Sequence, residues 1–420
     1  AAFQNPPDSA RAWVFWDWIN GNITRKGITK DLEAMKQAGV GGVVWRGIGG
    51  PWWAPQGKVD PKSKQWHELV QWAISEADRL GITFSMSIDF GYGSGGPDIS
   101  PTNSMQKFYW RDTIVEGGQT IETRIEKPRI SRENVGQAWL RPGEKLSEQV
   151  LRDIRQTDSY RDIAVKALPW SPDKSSYQMP KFDLRVGLDD NTYFRELDPL
   201  SPPSEAVTAR NKIVDLTDKI SADGTLSWDA PGGKWRIVRM GYGSNYKMTR
   251  PCPSGAVGLE CNRLSPEGIN AHFEAFLQPI LDKAGSKTGK TFKYVFLDSW
   301  EAGCQNWTNE LPREFRERRG YDIEPWLPVL SGKVVESPQM SERFLWDFRR
   351  TISEMTLDNY HRRLKELAAP YNIQFTAEGY GNLCVDNLKY GGVIDFPVSE
   401  FWTRGGSEFP FFGYQHYYNT

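Results

Sequence analysis

Short apolar runs alternate with amphipathic stretches over the first hundred residues. Residues 12–18, 40–45 and 82–88 have the composition of strands, while residues 30–38 and 65–80 carry apolar side chains at helical spacing. Strand–helix units that follow one another this closely predict a parallel sheet with right-handed crossovers.

The alternation changes near residue 108. From there to about residue 245, short strand-like runs such as 112–115, 162–168 and 235–239 are separated by turn residues. We interpret residues 108–250 as a β-rich, sandwich-like insertion. It would divide a barrel into residues 1–107, with the first three strand–helix units, and residues 251–420.

Helical periodicity returns after the insertion. The pattern predicts helices over residues 265–284 and 341–367, the second with Ser341 as N-cap. It predicts strands over residues 294–297, 373–377 and 393–396, which makes six, whereas a (β/α)8 barrel needs eight. Either the sheet is open, or the sequence is the front part of a longer protein. We favour the second, an α/β fold of the TIM-barrel type whose last strands lie beyond Thr420.

Charge and hydropathy narrow the classes of partner. The chain has 52 basic and 53 acidic residues, and no block of like charge dominates. This balance argues against nucleic acid or an anionic membrane as partner. No apolar run approaches the roughly 18 residues that a spanning helix needs, so we expect no membrane span.

Aromatic residues and cysteines leave alternatives open. The chain contains 18 tryptophans, and those in glycine-rich loops, such as Trp402, suit stacking on sugar rings as well as packing. Cys252 and Cys261 bracket a proline- and glycine-containing loop and are candidates for a disulfide. Four free thiols fit the sequence equally well.

Polar side chains follow most of the predicted strands. They are Asn20 and Asn22, Asp89, Asp298 and Glu301, Glu378, and Glu400. The carboxyl ends of barrel strands meet at one face, where active sites lie. A lone Asp89 is more often a turn former, but Asp298, Glu301 and Glu400 together are harder to explain as caps.

Paired carboxylates among many aromatic residues suggest glycoside hydrolysis, which needs one neutral acid and one carboxylate. Glu301 follows Trp300, and a dry pocket beside that ring would raise the pKa of an acid. A competing or accompanying role is calcium binding, because Asn20, Asp298 and Glu400 offer the oxygen ligands that calcium prefers.

We also predict a set of substrate contacts around these acids. The set is Asn20, Asn22, Trp45, Asp89, Trp300, Gln305 and Trp402. The glycine-rich stretch 91–96 loosely resembles a dinucleotide loop, but no helix clearly begins after it, so we interpret it as a flexible rim loop.

Several stretches together resemble the α-L-rhamnosidases of glycoside hydrolase family 106. The most specific is Asp298-Ser-Trp-Glu-Ala-Gly-Cys-Gln-Asn-Trp-Thr308. The others are residues 5–11, 18–24, 31–42, 104–107, 258–260, 319–322 and 395–400. The likeness extends over most of the chain except the β-rich insertion.

The resemblance implies a large secreted or periplasmic bacterial enzyme that releases terminal L-rhamnose from plant polysaccharides with inversion, with calcium at the sugar site. It implies that Glu301 is the catalytic acid, and that Asn20, Asp298 and Glu400 bind calcium or sugar hydroxyls. In this family the second catalytic glutamate lies on a seventh strand, which here would lie beyond Thr420. Within the chain, Glu378 is the reserve candidate for the base, and Glu400 is a second candidate.

Two other functions fit the same features. The chain would also suit a non-catalytic barrel that binds carbohydrate, or a barrel glycosidase acting on another sugar, such as a β-galactosidase-like or glucuronidase-like enzyme. Calcium dependence would favour rhamnose. A glutamate on a seventh strand, or a base at Glu378, would favour catalysis over binding alone.

Overall fold

The structure is a computed structural model of the 420-residue chain. It describes residues 6–7, 10–50, 54–137, 140, 144–170, 172, 177–188, 197–381 and 383–399. The strands of this part are, in chain order, β1 (Trp13–Ile19), β2 (Gly42–Ile48), β3 (Thr83–Phe90), β4 (Gly95–Gly96), β5 (Gln106–Glu116), β6 (Thr120–Arg124), β7 (Arg161–Trp170), β8 (Val207–Thr208), β9 (Val214–Asp215), β10 (Thr225–Asp229), β11 (Lys234–Ser244), β12 (Leu259–Glu260), β13 (Phe292–Leu297), β14 (Val334–Val335), β15 (Gln374–Glu378) and β16 (Phe396–Val398). Its helices are α1 (Arg25–Gln37), α2 (Lys64–Leu80), α3 (Glu148–Gln156), α4 (Phe182–Arg185), α5 (Pro266–Ala275), α6 (Leu277–Ala284), α7 (Leu311–Arg319), α8 (Pro338–Thr356), α9 (Arg363–Ala368) and α10 (Asn387–Val393).

A six-stranded parallel sheet organises the molecule. Its order is β1-β2-β3-β13-β15-β16, and every neighbouring pair is parallel. These are the six strands that the sequence predicts, so the parallel α/β organisation is confirmed. In the described part of the chain β1 and β16 are the edge strands, and the sheet is not closed into a barrel.

One face of this sheet is packed against helices. Val43 and Trp45 of β2 and Phe84 of β3 are fully buried, in one cluster with Ala73 and Ile74 of α2. Side chains of a strand alternate between the two faces, so the residues between them point the other way.

The other face of the sheet, here called the inner face, carries a row of aromatic side chains. The row is Trp13, Phe15, Tyr294, Phe296 and Phe396, with centroid distances of 5.1 Å for Trp13–Tyr294, 5.5 Å for Phe15–Phe296 and 6.4 Å for Tyr294–Phe396. Phe15 and Phe396 are 49% and 56% exposed. Two residues further along β1 and β13, the same face carries Asp17 and Asp298.

The region after β3 is β-rich, as its alternating pattern predicts. Strands β5, β11, β7 and β9 form an antiparallel sheet, and β6 pairs with β10. Ile121 and Trp228 of the two-stranded sheet share a buried cluster with Val165 and Ile237 of the larger one. The two sheets therefore pack together as a small sandwich.

Several predicted boundaries are wrong, each for a local reason. Helix 265–284 is broken at Phe276, where φ is −120° and ψ is −66°, into α5 and α6. Helix α8 begins three residues before Ser341, because Ser337 is the cap and its Oγ accepts a hydrogen bond from Met340 N at 3.1 Å. Pro338 suits the first turn. The predicted strand 393–396 starts at Phe396, since α10 takes residues 387–393.

Two further predictions concern membranes and thiols. No helix of the described residues is long and apolar enough to cross a membrane. Cys252, Cys261, Cys304 and Cys384 are all free thiols, so the alternative of a Cys252–Cys261 disulfide is not realised.

Candidate active site

Arg46 joins three strands at the carboxyl edge of the inner face. Its Nε and Nη2 donate to the two carboxylate oxygens of Asp17 at 2.8 and 3.1 Å, and its Nη1 donates to Asp298 Oδ2 at 3.0 Å. The guanidinium lies 3.9 Å from the ring centroid of Phe15. Because Asp17 is the register partner of Arg46, the parallel pairing of β1 and β2 creates the first of these contacts.

The electrostatics keep this arginine charged. Burial alone would lower the Arg46 pKa, but hydrogen bonds from Arg46 to Asp17 and the charge of Asp298 outweigh it and raise the pKa. Tyr92 lies near this group, with its ring centroid 5.9 Å from the guanidinium carbon. Burial raises the Tyr92 pKa; Arg46 opposes that shift and the charges of Asp298 and Glu301 add to it, so the phenol stays protonated.

Asp298 and Glu378 converge on one backbone amide. Ser299 N donates to Asp298 Oδ1 at 2.9 Å and to Glu378 Oε2 at 3.0 Å. Tyr380 Oη donates to the same Glu378 oxygen at 2.8 Å. The ends of β13 and β15 therefore bring two of the predicted acids together, and Glu378 is only 4% exposed.

Glu301 lies on the segment after β13, here called the acid loop, residues 298–303. It is exposed, whereas Trp300 before it is 2% exposed. Arg250 donates a hydrogen bond from Nη2 to the Glu301 carbonyl, and the Arg250 carbonyl accepts from Tyr92 N at 3.0 Å. Arg250 thus connects the acid loop to the glycine-rich loop after β3.

Two glycines allow this connection. A Cβ on Gly91 would lie 2.6 Å from the Arg250 carbonyl, and its φ of +72° favours glycine. A Cβ on Gly49 would lie 2.0 Å from the carbonyl carbon of Cys252. Backbone from the end of the insertion therefore lies directly against the loops after β2 and β3.

The two predicted asparagines join the loop after β1 to the loop after β2. Asn20 is 1% exposed, its Oδ1 accepts from Gly50 N at 3.2 Å, and its Nδ2 donates to Ala54 O at 3.3 Å. Asn22 is exposed and donates to Pro55 O at 2.6 Å. Asn20 is thus committed to backbone groups, while Asn22 keeps an exposed surface.

Other predicted substrate contacts are buried. Trp45 has no exposed surface and packs against Trp18 and Trp66 at centroid distances of 5.7 and 5.6 Å. Trp300 donates from Nε1 to Gly303 O at 2.7 Å, and Gln305 donates to Asn262 Oδ1 at 2.7 Å. Trp45, Trp300 and Gln305 therefore have packing and loop-anchoring roles in this structure, and their contact with substrate stays a prediction. Glu400 and Trp402 lie outside the described residues.

Asp89 is part of a buried acidic pair that the sequence does not reveal. Its carboxylate accepts from Gly95 N at 2.6 Å and from Phe90 N at 2.7 Å, and Glu260 Oε2 accepts from Ser94 N at 3.0 Å. The glycine-rich loop is therefore anchored from below, which corrects its interpretation as a flexible rim loop. Burial, followed by the charge of Glu260, holds the pKa of Asp89 well above its usual range.

Glu260 predicts a dependence of stability on pH. Burial raises its pKa from 4.5 to about 7, although Arg263 and the Ser94 amide oppose the shift. Between these values the folded protein binds a proton that the unfolded chain has released, so the free energy of unfolding falls as pH rises through this window. The Glu260→Gln variant should lose about 2–3 kcal/mol less free energy of unfolding than the parent protein between pH 5 and pH 8, measured by urea unfolding.

The exposed Glu366 of α9 provides the matched control, since Glu366→Gln should leave the pH dependence as in the parent protein. If Glu260→Gln and the parent protein lose the same stability between pH 5 and pH 8, Glu260 is not the group that titrates.

The described donors do not form a calcium cage. Among the described residues, no group of three or more His, Cys, Asp or Glu side chains is arranged to hold a metal ion. Asp298 already faces Arg46, and the amide of Asn20 is committed to the loop. The third predicted ligand, Glu400, lies outside the described residues, so calcium stays a prediction.

Sequence reasoning missed six residues of this region. They are Asp17, Arg46, Tyr92, Arg250, Glu260 and Arg263. Asp17 and Arg46 break two apolar strands at positions that pair in register, and this signal was available from the sequence. The positions of Arg250, Glu260 and Arg263 follow from tertiary contacts with distant loops, for which the local pattern carries no signal.

The chain belongs to glycoside hydrolase family 106, because the sequence model of that family, described as alpha-L-rhamnosidase, matches residues 4–411. The match covers nearly the whole chain and confirms the resemblance drawn from the motifs.

Two known proteins are similar to this chain. A protein of Formosa agariphila named "Putative beta-glucuronidase" is 34% identical over 423 residues, which cover 98% of this chain and 33% of that protein. The solved structure of a rhamnosidase from Novosphingobium sp. PP1Y matches with a TM-score of 0.75 and 24% identity, covering 97% of this chain and 50% of that one. The chain therefore shares the fold of the solved rhamnosidase, and it spans about a third of the length of the Formosa agariphila protein and half of the solved chain.

Proposed function

We propose that this chain carries the acid half of the active site of an inverting α-L-rhamnosidase, with Glu301 as general acid. The carrying observation is the position of Glu301. Glu301 is exposed on the loop after β13, next to the Asp298–Glu378 pair. The chain that carries it belongs to family 106. Plant-type rhamnose-containing glycans are the proposed substrates, and a secreted or periplasmic location is proposed from the family resemblance.

The proposed reaction needs two carboxyl groups on opposite sides of the glycosidic bond. Glu301 donates a proton to the leaving oxygen, while a carboxylate removes a proton from the attacking water. Glu378 and Glu400 are the candidate bases within the chain, and a glutamate on a seventh strand is the third. Of these, Glu378 is held by Ser299 N and Tyr380 Oη beside Asp298.

The same proposal extends to the fold. We infer that the six strands belong to an eight-stranded barrel whose interior is the inner face of the sheet. Support comes from Phe15 and Phe396, the two exposed members of the aromatic row on that face, because soluble proteins rarely leave large apolar patches uncovered. Further support comes from the polar groups at the carboxyl ends of β1, β2, β13 and β15, the edge at which barrel enzymes place their chemistry.

Release of L-rhamnose from 4-nitrophenyl α-L-rhamnoside tests the function, with this chain and with any longer form of the protein. We expect turnover by at least one of the two forms. If Asn20, Asp298 and Glu400 bind calcium, EDTA should remove this activity, and metal analysis should find about one calcium per chain. Turnover by the longer form alone would place the base outside this chain. Absence of turnover in both forms contradicts the proposal.

Hydrolysis of a β-glucuronide is the second candidate. It is favoured by the name of the Formosa agariphila relative and by two arginines, Arg46 at Asp298 and Arg250 at the Glu301 carbonyl, since arginine recognises carboxylates well. Arg46, however, already binds two carboxylates of the protein itself. 4-Nitrophenyl β-D-glucuronide, assayed in parallel, separates the two sugars. Binding of rhamnose or glucuronate without turnover would instead indicate a carbohydrate-binding barrel.

A further inference from the structure

Arg263 is a buried cation directly beneath the acid loop. It is 3% exposed, and its guanidinium lies on the face of the Trp300 ring and 5.5 Å from the ring centroid of Tyr360. Its Nη2 contacts Met105 Sδ, and its Nε has no hydrogen-bond partner among the described residues. Trp300 is the residue immediately before Glu301.

The backbone of Arg263 also supports the acid side of the site. Arg263 N donates to Gln305 Oε1 at 3.1 Å, and Gln305 donates back to Asn262 Oδ1. Trp300 is fixed from its other sides as well, because Trp300 N donates to Tyr380 O at 3.4 Å and a Cβ on Gly381 would lie 2.5 Å from that nitrogen. The indole is therefore enclosed, with the guanidinium covering one face.

Glu260 plays the corresponding part beneath the glycine loop, which comprises residues 91–96. It has no exposed surface and accepts from Ser94 N, while Ser94 Oγ is hydrogen-bonded to Tyr360 Oη. A Cβ on Gly93 would lie 2.1 Å from Glu260 Oε1, so the loop lies directly on this carboxyl group. The same loop carries Tyr92, which neighbours Arg46 at the carboxyl edge of the inner face.

Glu260 and Arg263 therefore lie three residues apart under two different loops of one site. The side chain of Tyr360 lies between them: its hydroxyl is hydrogen-bonded to Ser94, whose amide donates to Glu260, and its ring lies 5.5 Å from the Arg263 guanidinium. Burying an arginine and an ionisable carboxyl group is costly, and apolar residues of similar volume often stabilise a protein as well or better. Packing alone therefore does not explain why Glu260 and Arg263 occupy these positions.

We propose that Arg263, with Glu260, is a positioning residue for the general acid. Arg263 fixes the plane of the Trp300 ring and thereby the direction in which the Glu301 side chain projects from the acid loop. Glu260 fixes the position of the glycine loop and of Tyr92 within it. Neither side chain touches substrate. The proposal rests on the proposed function of Glu301. It adds Arg263 and Glu260, as positioning residues, to the proposed acid and base.

A double-mutant cycle between Arg263→Met and Glu301→Gln tests it with the full chain in its active form. On an aryl glycoside with a poor leaving group, Arg263→Met should lower kcat roughly 10- to 100-fold and leave KM within about twofold, as expected for a misplaced catalytic group. In the Glu301→Gln background the same change should have almost no further effect. Arg263→Lys, which keeps the charge but not the plane, should recover part of the loss.

The control is Arg349→Met in α8. Arg349 is a partly buried arginine, and its Nη1 donates to the Arg185 carbonyl at 2.6 Å. This variant should keep the parent kcat. Equal losses from Arg263→Met in the parent and Glu301→Gln backgrounds would mean a general structural role and would overturn the proposal.

A second readout does not depend on activity. Hydrogen exchange of the backbone amides in residues 298–303 and 91–96 should be at least tenfold faster in Arg263→Met than in the parent protein or Arg349→Met. Unchanged protection in both loops overturns the positioning role even if no glycoside is hydrolysed, whereas missing turnover with the expected loop changes contradicts only the proposed function. If Arg263→Met does not fold, Arg263→Lys and Glu260→Gln serve for the same measurements.

Discussion

Replacing Glu301 with Gln should reduce turnover about 100- to 10,000-fold on rhamnosides with poor leaving groups, because loss of a general acid typically has an effect of this size. The loss should shrink on 4-nitrophenyl α-L-rhamnoside, whose leaving group needs little protonation. The amide keeps the shape of the carboxyl group at an exposed position, so folding and sugar affinity should be preserved. Steady-state kinetics over a series of aryl leaving groups, together with isothermal titration of rhamnose, measures both expectations.

Glu317→Gln is the matched control for this variant. Glu317 is an exposed residue of α7, and its ion pair with Arg313 is long, at 3.5 Å. Its replacement should leave the leaving-group dependence as in the parent protein. Full activity of Glu301→Gln on poor leaving groups would remove Glu301 from the reaction.

Replacing Arg46 with Met should lower the free energy of unfolding by about 2–3 kcal/mol. Removal of one partner from a buried ion pair costs about 3–5 kcal/mol, because a charge stays behind in a poorly solvated place. The side chains of Arg46 and Asp298 are only 15% and 7% exposed, but Asp17 is 34% exposed and partly screened, which reduces the expected cost. Urea unfolding at pH 7 measures the change.

Two further variants separate this electrostatic effect from lost packing. The double variant Arg46→Met with Asp298→Asn should recover part of the stability, since the buried charge facing Arg46 is then neutral. Arg124→Met removes an arginine from an exposed pair with Glu126, and it should change stability by less than about 0.5 kcal/mol. If Arg46→Met is as stable as the parent protein, the three-strand contact does not stabilise the fold.

The sequence predicts the sheet well, because apolar composition and length are local properties. Phe84 and Val295 lie in short apolar runs, and both are core positions of the parallel sheet. The boundaries that fail carry local signals of their own. Pro338 follows Ser337 and favours that serine as the cap, while Ser341 is hydrogen-bonded to Val335. Pro279 lacks an amide hydrogen and disfavours a continuous helix across Phe276.

The residues of the candidate site were also predictable from the sequence only in part. Asp298, Glu301 and Glu378 are found from sequence because each follows a strand, and the geometry of parallel strands brings such ends together. Trp45 and Trp300 are buried, and the sequence alone does not distinguish an aromatic residue that faces a sugar from one that packs in the core. Arg250 and Glu260 escape because their neighbours, Glu301 and Ser94, are 51 and 166 positions away.

The way the chain leaves the β-rich insertion limits how that insertion can be exchanged. Residues after Ser244 lie against the loops that follow β2, β3 and β13, through Pro251, Glu260 and the pair Asn245 and Arg250 respectively. A recombinant chimera should therefore join its foreign module before this return segment and keep residues 245–263 intact. Natural variation in the module would be tolerated on the same condition, so its two-stranded sheet β6–β10 is free to diversify while residues 245–263 are not.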